Sequence, residues 1–149
     1  MITPEQLAAS NNGSEHGHQC ALMQWSVINR AEFPWLELLF AIPNGGDRRP
    51  SVAASLAAEG VRSGVPDLFL PVPRGAYAGL WIEMKKPTEY GKKNGGRSDK
   101  QVEWHRKLIE QYYAVVTCYS WQAARDAILR YDRRTLIMPE GGDSLSFVV

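Results

Sequence analysis

Asp67, preceded by Pro66, and the run Glu83-Met84-Lys85 that follows sixteen positions later are the side chains of this 149-residue chain best suited to chemistry. Two carboxylates brought together can hold Mg²⁺ or Mn²⁺, hard cations that take oxygen ligands. Such an ion neutralises charge on a phosphodiester and generates hydroxide near neutral pH. Side chains alternate along a strand with period two, so Lys85 lies on the same face as Glu83. There its ammonium can orient an attacking water and offset negative charge in the transition state. Asp67, Glu83 and Lys85 together thus suit metal-assisted phosphodiester hydrolysis. On these three residues alone a plainer account stays open, in which Asp67 opens a strand as a turn residue and EMKK is a solvated edge with ordinary charges. An aspartate followed at loose spacing by ExK arises often by chance.

The elements around these residues can be read from periodicity and punctuation. Val65 to Val72 is strand-like, PRGAYAG supplies a hairpin-length connection, and Leu80 to Lys85 forms a second strand, antiparallel to the first. In that second strand Leu80, Ile82 and Met84 face one way, and Trp81, Glu83 and Lys85 the other. Ser14 to Arg30 reads as a helix capped by Ser14, with Leu22, Trp25 and Ile28 at helical spacing and Pro34 beyond its end. WLELLFAI after Pro34 reads as a strand, and Ser51 as the cap of a short Ala-rich helix ended by Gly60. Ser98-Asp99-Lys100-Gln101 has the form of a capping box opening a helix to about Gln111. Tyr113 to Tyr119 follows as a strand and Trp121 to Tyr131 as a closing helix. Beyond Asp132 the chain carries Pro139 and Gly141-Gly142 and ends in LSFVV, read as a tail available to a partner.

Length and composition are those of one globular domain, with 44% apolar and 22% charged residues and no repeat or low-complexity tract. The N-terminus lacks the basic-then-apolar pattern of a secretory signal, and no stretch has the length to span a bilayer, so the expected location is the cytoplasm. Cys20 and Cys118 have no metal-ligand or redox spacing and are expected to be reduced, buried thiols. His16, His18 and His105 show none of the paired spacings of a zinc site and are read as surface or packed residues. The net charge of +1 names no partner, but the segment from Lys86 to Arg97 sets Lys86, Lys92, Lys93 and Arg97 against Glu89 alone. That glycine-bearing loop, together with Arg48, Arg49 and Arg62, can meet backbone phosphates, and Tyr90 can stack on an unpaired base; a solvated surface is the alternative for each basic residue taken singly.

The wider chain resembles the VRR-NUC family, a branch of the PD-(D/E)xK nucleases, from about Glu15 to Tyr131. The matching features are Glu15-xxx-Gln19, PNGGDR at Pro43 to Arg48, EGVRSGVPDLFL from Glu59 to Leu70, LWIEMK from Leu80 to Lys85, Ser98-xx-Gln101-xx-Trp104, and Trp121. Their order and spacing carry the resemblance, since each is weak by itself. One departure is Tyr112, where the family commonly places a glycine before the final strand.

The resemblance implies an α/β restriction-endonuclease-like fold, a mixed central sheet flanked by helices, over residues 1–131, with 132–149 as a C-terminal tail and a candidate dimer contact. It implies that Glu15 joins Asp67, Glu83 and the Met84 backbone carbonyl around Mg²⁺ or Mn²⁺; the bare sequence would favour Glu15 as a first-turn acid suited to the helix dipole, and the family pattern reverses that preference. Gln101 accompanies the active site, positioning Lys85 or a phosphate, and its capping role is compatible with this. Arg48, Arg62, Lys86, Lys92, Lys93 and Arg97 form the expected nucleic-acid surface. The implied activity is a structure-specific DNA endonuclease, with resolution of Holliday junctions by a homodimer favoured on family analogy and symmetry. A general duplex or flap DNase, and a branched-DNA-binding module that does not cut, are the alternatives. An intact Asp67, Glu83 and Lys85 set argues against the latter, and a bacterial or phage-infected cell would be the setting.

Overall fold

A computed structural model describes residues 1–10, 12–43 and 49–148 of the chain. Among them five strands make one mixed sheet in sequence order: β1 (Phe40–Ala41), β2 (Leu68–Leu70), β3 (Leu80–Met84), β4 (Ala114–Cys118) and β5 (Leu145–Phe147). β1 with β2 and β2 with β3 pair antiparallel, Leu68 lying opposite Ile82 and Leu70 opposite Leu80. β3, β4 and β5 are parallel, with Glu83 beside Thr117 and Thr117 beside Ser146. Parallel neighbours require a crossover. Helices α4 (Asp99–Glu110) and α5 (Trp121–Asp132) lie within the two connections.

The period-two alternation divides the sheet as its sequence predicts. Leu68, Leu70, Leu80, Ile82, Met84, Ala114, Val116 and Cys118 enter the main core with Ala21, Leu22 and Trp25 of helix α2 (Glu15–Ile28) and with Ala124, Ala127 and Ile128 of α5. α4 lies over the opposite face, where its Gln101 meets Lys85 and its His105 meets Glu83. Glu83 is fully buried and Lys85 only 9% exposed. The reading of EMKK as a solvated edge therefore fails. A short N-terminal helix, α1 (Pro4–Ser10), packs on α2 and has no counterpart in the sequence reading.

Several expected elements shift, each for a local reason. Pro34 starts a 3₁₀ turn over Pro34–Leu38, because proline's fixed φ suits a first helical position. That turn buries Leu36 and leaves only Phe40–Ala41 as strand where WLELLFAI was expected. Pro50 likewise takes the first position of α3 (Pro50–Ala58), so Ser51 lies inside the helix and Arg49 holds the cap position in place of the expected serine. The strand expected from Val65 to Val72 narrows to Leu68–Leu70.

The segment after α5 is not a free tail. Met138 donates its N–H to the Tyr77 hydroxyl at 3.0 Å, Leu136 is buried, and β5 extends the sheet alongside β4. At the end of α4, Tyr112 has φ +68°. The N–H groups of Tyr112 and Tyr113 reach back to Ile109 and Leu108 O at 3.0 and 3.2 Å, a Schellman closure. The structure thus demands a left-handed residue where the family commonly carries glycine. Cys118 is buried and Cys20 only half-buried, both thiols free.

Candidate active site

The hairpin built by β2 and β3 determines the position of the first two acids. Continuing its register one step beyond Leu68 and Ile82 brings Asp67 opposite Glu83. Asp67 Oδ2 accepts the Met84 N–H at 2.7 Å, which ties the side chain to the neighbouring strand. The third acid comes from α2. Ser14 is its N-cap, with Oγ accepting the Gly17 N–H at 3.1 Å, and this start presents Glu15 at the first helical position. One carboxylate oxygen from each of Glu15, Asp67 and Glu83 lies within 4.8 Å of the other two.

Three carboxylates at this separation repel one another and resist ionisation. Burial, then the adjacent Glu83 carboxylate, pushes Asp67 up to about 8. Burial pushes Glu83 up to about 7, opposed by its side-chain contact with Asp67 and then by Lys85, with Glu15 adding to the rise. Glu15 is also raised, by burial first and by Asp67 second. Both oxygens of Glu83 are buried without a hydrogen-bond partner among the described residues. Buried carboxylate oxygens are normally bonded. An all-oxygen acidic set with unpartnered buried oxygens fits a hard divalent cation, which would relieve both the repulsion and the missing bonds.

Lys85 approaches on the Glu83 side of the strand, its Nζ 3.3 Å from Gln101 Oε1. The same Oε1 accepts the Ser98 N–H at 2.8 Å, while Ser98 Oγ accepts the Gln101 N–H at 3.2 Å. The capping box and the support of Lys85 therefore coexist in one side chain. His18, set aside as a ligand, is packed with its Nδ1 accepting the Trp121 N–H at 3.0 Å. His105 is fully buried with Nε2 3.4 Å from Glu83 Oε1, and burial first and Arg97 second hold its imidazole down at about 4.

The basic residues divide. Lys86, Lys92 and Lys93 are exposed on the loop beyond β3, and Lys92 pairs with Glu89 at 3.1 Å. Lys92, Lys93 and Asn94 border an open cleft with Ser98 and Asp99. Tyr119 passes beneath this loop and donates its hydroxyl to Gly95 O at 2.8 Å. Arg62 is exposed on the loop before Asp67, its guanidinium 5.4 Å from the Trp104 ring centroid. That loop seats on the start of α4 because Gly64, at φ +94°, lacks a Cβ that would come within 2.8 Å of the Lys100 carbonyl. Arg48 lies outside the described residues, as do the glycines of PNGGDR.

Arg97 differs from its expected role. Its side chain is 9% exposed and spans Asp143 Oδ1 and Oδ2 at 2.7 and 2.9 Å. It also donates to Ser144 Oγ at 3.0 Å, His105 Nδ1 at 3.1 Å and Asn94 O at 2.8 Å. A guanidinium so committed is turned inward, not offered to a phosphate. Asp143 and Ser144 went unread in the sequence, and His105 was read only as a surface or packed residue. Asp143 lies 46 positions from Arg97, and no local spacing signals that pairing.

The VRR-NUC domain family model matches residues 9–122. A solved structure titled "VRR_NUC domain protein" aligns with 28% identity and a TM-score of 0.64, over 80% of this chain and 88% of that one. No curated protein matches the chain.

Proposed function

Belonging to the VRR-NUC domain family over most of its length, the chain is a nuclease-type protein, and we propose that it is a divalent-metal-dependent DNA endonuclease whose site is Glu15, Asp67, Glu83, Lys85 and Gln101. The observation that carries this reading is the convergence of three part-buried or buried carboxylates within 4.8 Å. The unpartnered oxygens of Glu83 and the buried Lys85 beside them complete the arrangement.

Glu15, Asp67 and Glu83, with the Met84 carbonyl, are the groups that would hold Mg²⁺ or Mn²⁺. Such an ion supplies charge neutralisation at the scissile phosphate and a lowered pKa for water. Lys85 brings a fixed positive charge to the same strand face, where it can orient the attacking water and offset charge on the phosphate oxygens. Gln101 keeps that ammonium in place from α4. Asp67 is itself anchored by the Met84 N–H, so the strand backbone sets its direction. Lys86, Lys92, Lys93 and Arg62, with Arg48, are the groups proposed to meet phosphates, and Tyr90, 54% exposed, offers a stacking face. Branched DNA cut by a homodimer is the substrate and assembly we favour, by analogy and on the symmetry of a junction. Among the described residues no helix is long and apolar enough to cross a membrane. A cytoplasmic setting in a bacterial or phage-infected cell is part of the proposal.

The test is cleavage of labelled four-way junction, nicked duplex, flap and linear duplex DNA with Mg²⁺, Mn²⁺ or chelator, comparing wild type with Asp67→Ala and Lys85→Ala. Metal-dependent cutting lost in both variants supports the site, and paired symmetrical nicks in the junction support the dimeric resolvase. Binding of the junction with no cutting under any condition would sink the endonuclease reading and favour a binding module.

A further inference from the structure

From Glu83 a chain of polar side chains runs from β3 to the segment leading into the last strand of the sheet. Arg97 Nη1 donates to His105 Nδ1 at 3.1 Å. A guanidinium has no acceptor, so Nδ1 must supply the lone pair and the imidazole proton must sit on Nε2. Nε2 is the atom 3.4 Å from Glu83 Oε1, and both residues are fully buried. Both Nε2 and Oε1 are buried and neither meets hydrogen-bond geometry with a fixed partner among the described residues. The 3.4 Å contact is longer than a mature hydrogen bond, yet Glu83 Oε1 is the acceptor that the Nε2 proton faces.

Arg97 is held in turn from the C-terminal segment. Asp143 grips it with both oxygens, at 2.7 and 2.9 Å, and Ser144 Oγ accepts from it at 3.0 Å. Ser144 Oγ also lies 2.7 Å from Thr117 Oγ1, on the β4 residue paired with Glu83. Because Nδ1 is committed to accepting from Arg97, a neutral imidazole is presented to Glu83. It can orient the carboxylate without neutralising it, leaving the negative charge for a cation. A residue that holds a ligand by its other oxygen commonly alters metal affinity by roughly 10- to 100-fold when removed.

We propose that His105 is a positioning residue for Glu83, with its tautomer set by Arg97, which Asp143 and Ser144 clamp in turn, so that the segment leading into β5 helps shape the metal site. This rests on the metal-site reading above and assigns a role to residues outside the acidic cluster.

The experiment is Mn²⁺ binding to the full chain by isothermal titration calorimetry. Wild type, Asp67→Ala, His105→Ala, His105→Gln and Asp143→Ala are compared, with circular dichroism melts in chelator confirming that each is folded. Asp67→Ala should abolish binding. His105→Ala and Asp143→Ala should weaken it about tenfold, and His105→Gln, which restores an N–H donor, should recover most of the loss. Wild-type affinity in both His105→Ala and Asp143→Ala, with binding lost in Asp67→Ala, overturns the positioning role and leaves the metal site standing. A His105→Gln variant as weak as His105→Ala also overturns it, by reducing the effect to packing. If His105→Ala does not fold, His105→Gln and Asp143→Ala decide the matter. No Mn²⁺ binding by wild type would remove the metal-site reading itself, a different and separable result.

Discussion

Asp67→Asn in metal-free protein tests the electrostatics of the acidic cluster without requiring any knowledge of the substrate. Folding lifts Asp67 from 3.8 to about 8 and Glu83 from 4.5 to about 7. A carboxylate raised on folding binds more protons in the native than in the unfolded state, so stability falls as pH rises through the folded value. His105 acts oppositely: lowered to about 4 from 6.5, it adds stability as pH rises, but only within that lower window. From about pH 6.5 to 8 the acids govern alone. Holding on average about one extra proton over roughly 1.5 pH units, at about 1.4 kcal/mol per unit, costs metal-free wild type roughly 2 kcal/mol. For a domain of this size that is a fall of about 4–8 °C in Tm. The amide introduced by the substitution can still accept the Met84 N–H, yet the change removes the titration of Asp67 itself, the larger share of the slope in this window, so most of the slope should vanish. Melts by circular dichroism in chelator across the same pH range measure it. Adding Mg²⁺ or Mn²⁺ should restore wild-type Tm most at the alkaline end and do little for Asp67→Asn. A flat wild-type profile, or an undiminished slope in the variant, would refute a buried, proton-sharing acid pair.

Other substitutions separate the remaining roles. On the proposed function, Lys85→Met should retain Mn²⁺ binding in calorimetry while slowing single-turnover cleavage by roughly 10²-fold or more, since the role proposed for Lys85 is a charge at the phosphate and not a ligand. Gln101→Ala breaks the capping box and the Lys85 contact together, so chemical denaturation should show a loss of about 1 kcal/mol alongside reduced turnover. Tyr112→Gly relieves a left-handed tyrosine that is 75% exposed. The relief of about 1–2 kcal/mol exceeds glycine's entropic cost of about 0.5–1, so a small rise in Tm is expected. Gly64→Ala should be destabilising by about 2 kcal/mol or more in the same assay, because its Cβ would strike the α4 backbone at a φ that alanine resists.

Local chemistry sufficed for much of this site. The alternation in LWIEMK placed Glu83 and Lys85 on one face, Ser14 and Ser98 announced the starts of α2 and α4, and the spacing of the family's features named Glu15 and Gln101. These are short-range rules: pleat, cap and turn act over a few residues and leave their mark in the chain itself. Burial was different. Whether EMKK is a wet edge or an interior strand depends on β4 and α4 covering it, through partners as distant in sequence as Thr117 and His105. The same holds for Arg97, which as a letter among lysines suggested a phosphate contact. Only the docking of the C-terminal segment beside β4 brings Asp143 to it, turning a basic-loop residue into an internal brace against His105. Periodicity names the face a side chain occupies; what closes over that face, and therefore the dielectric and partners that decide its chemistry, is settled by elements distant in sequence.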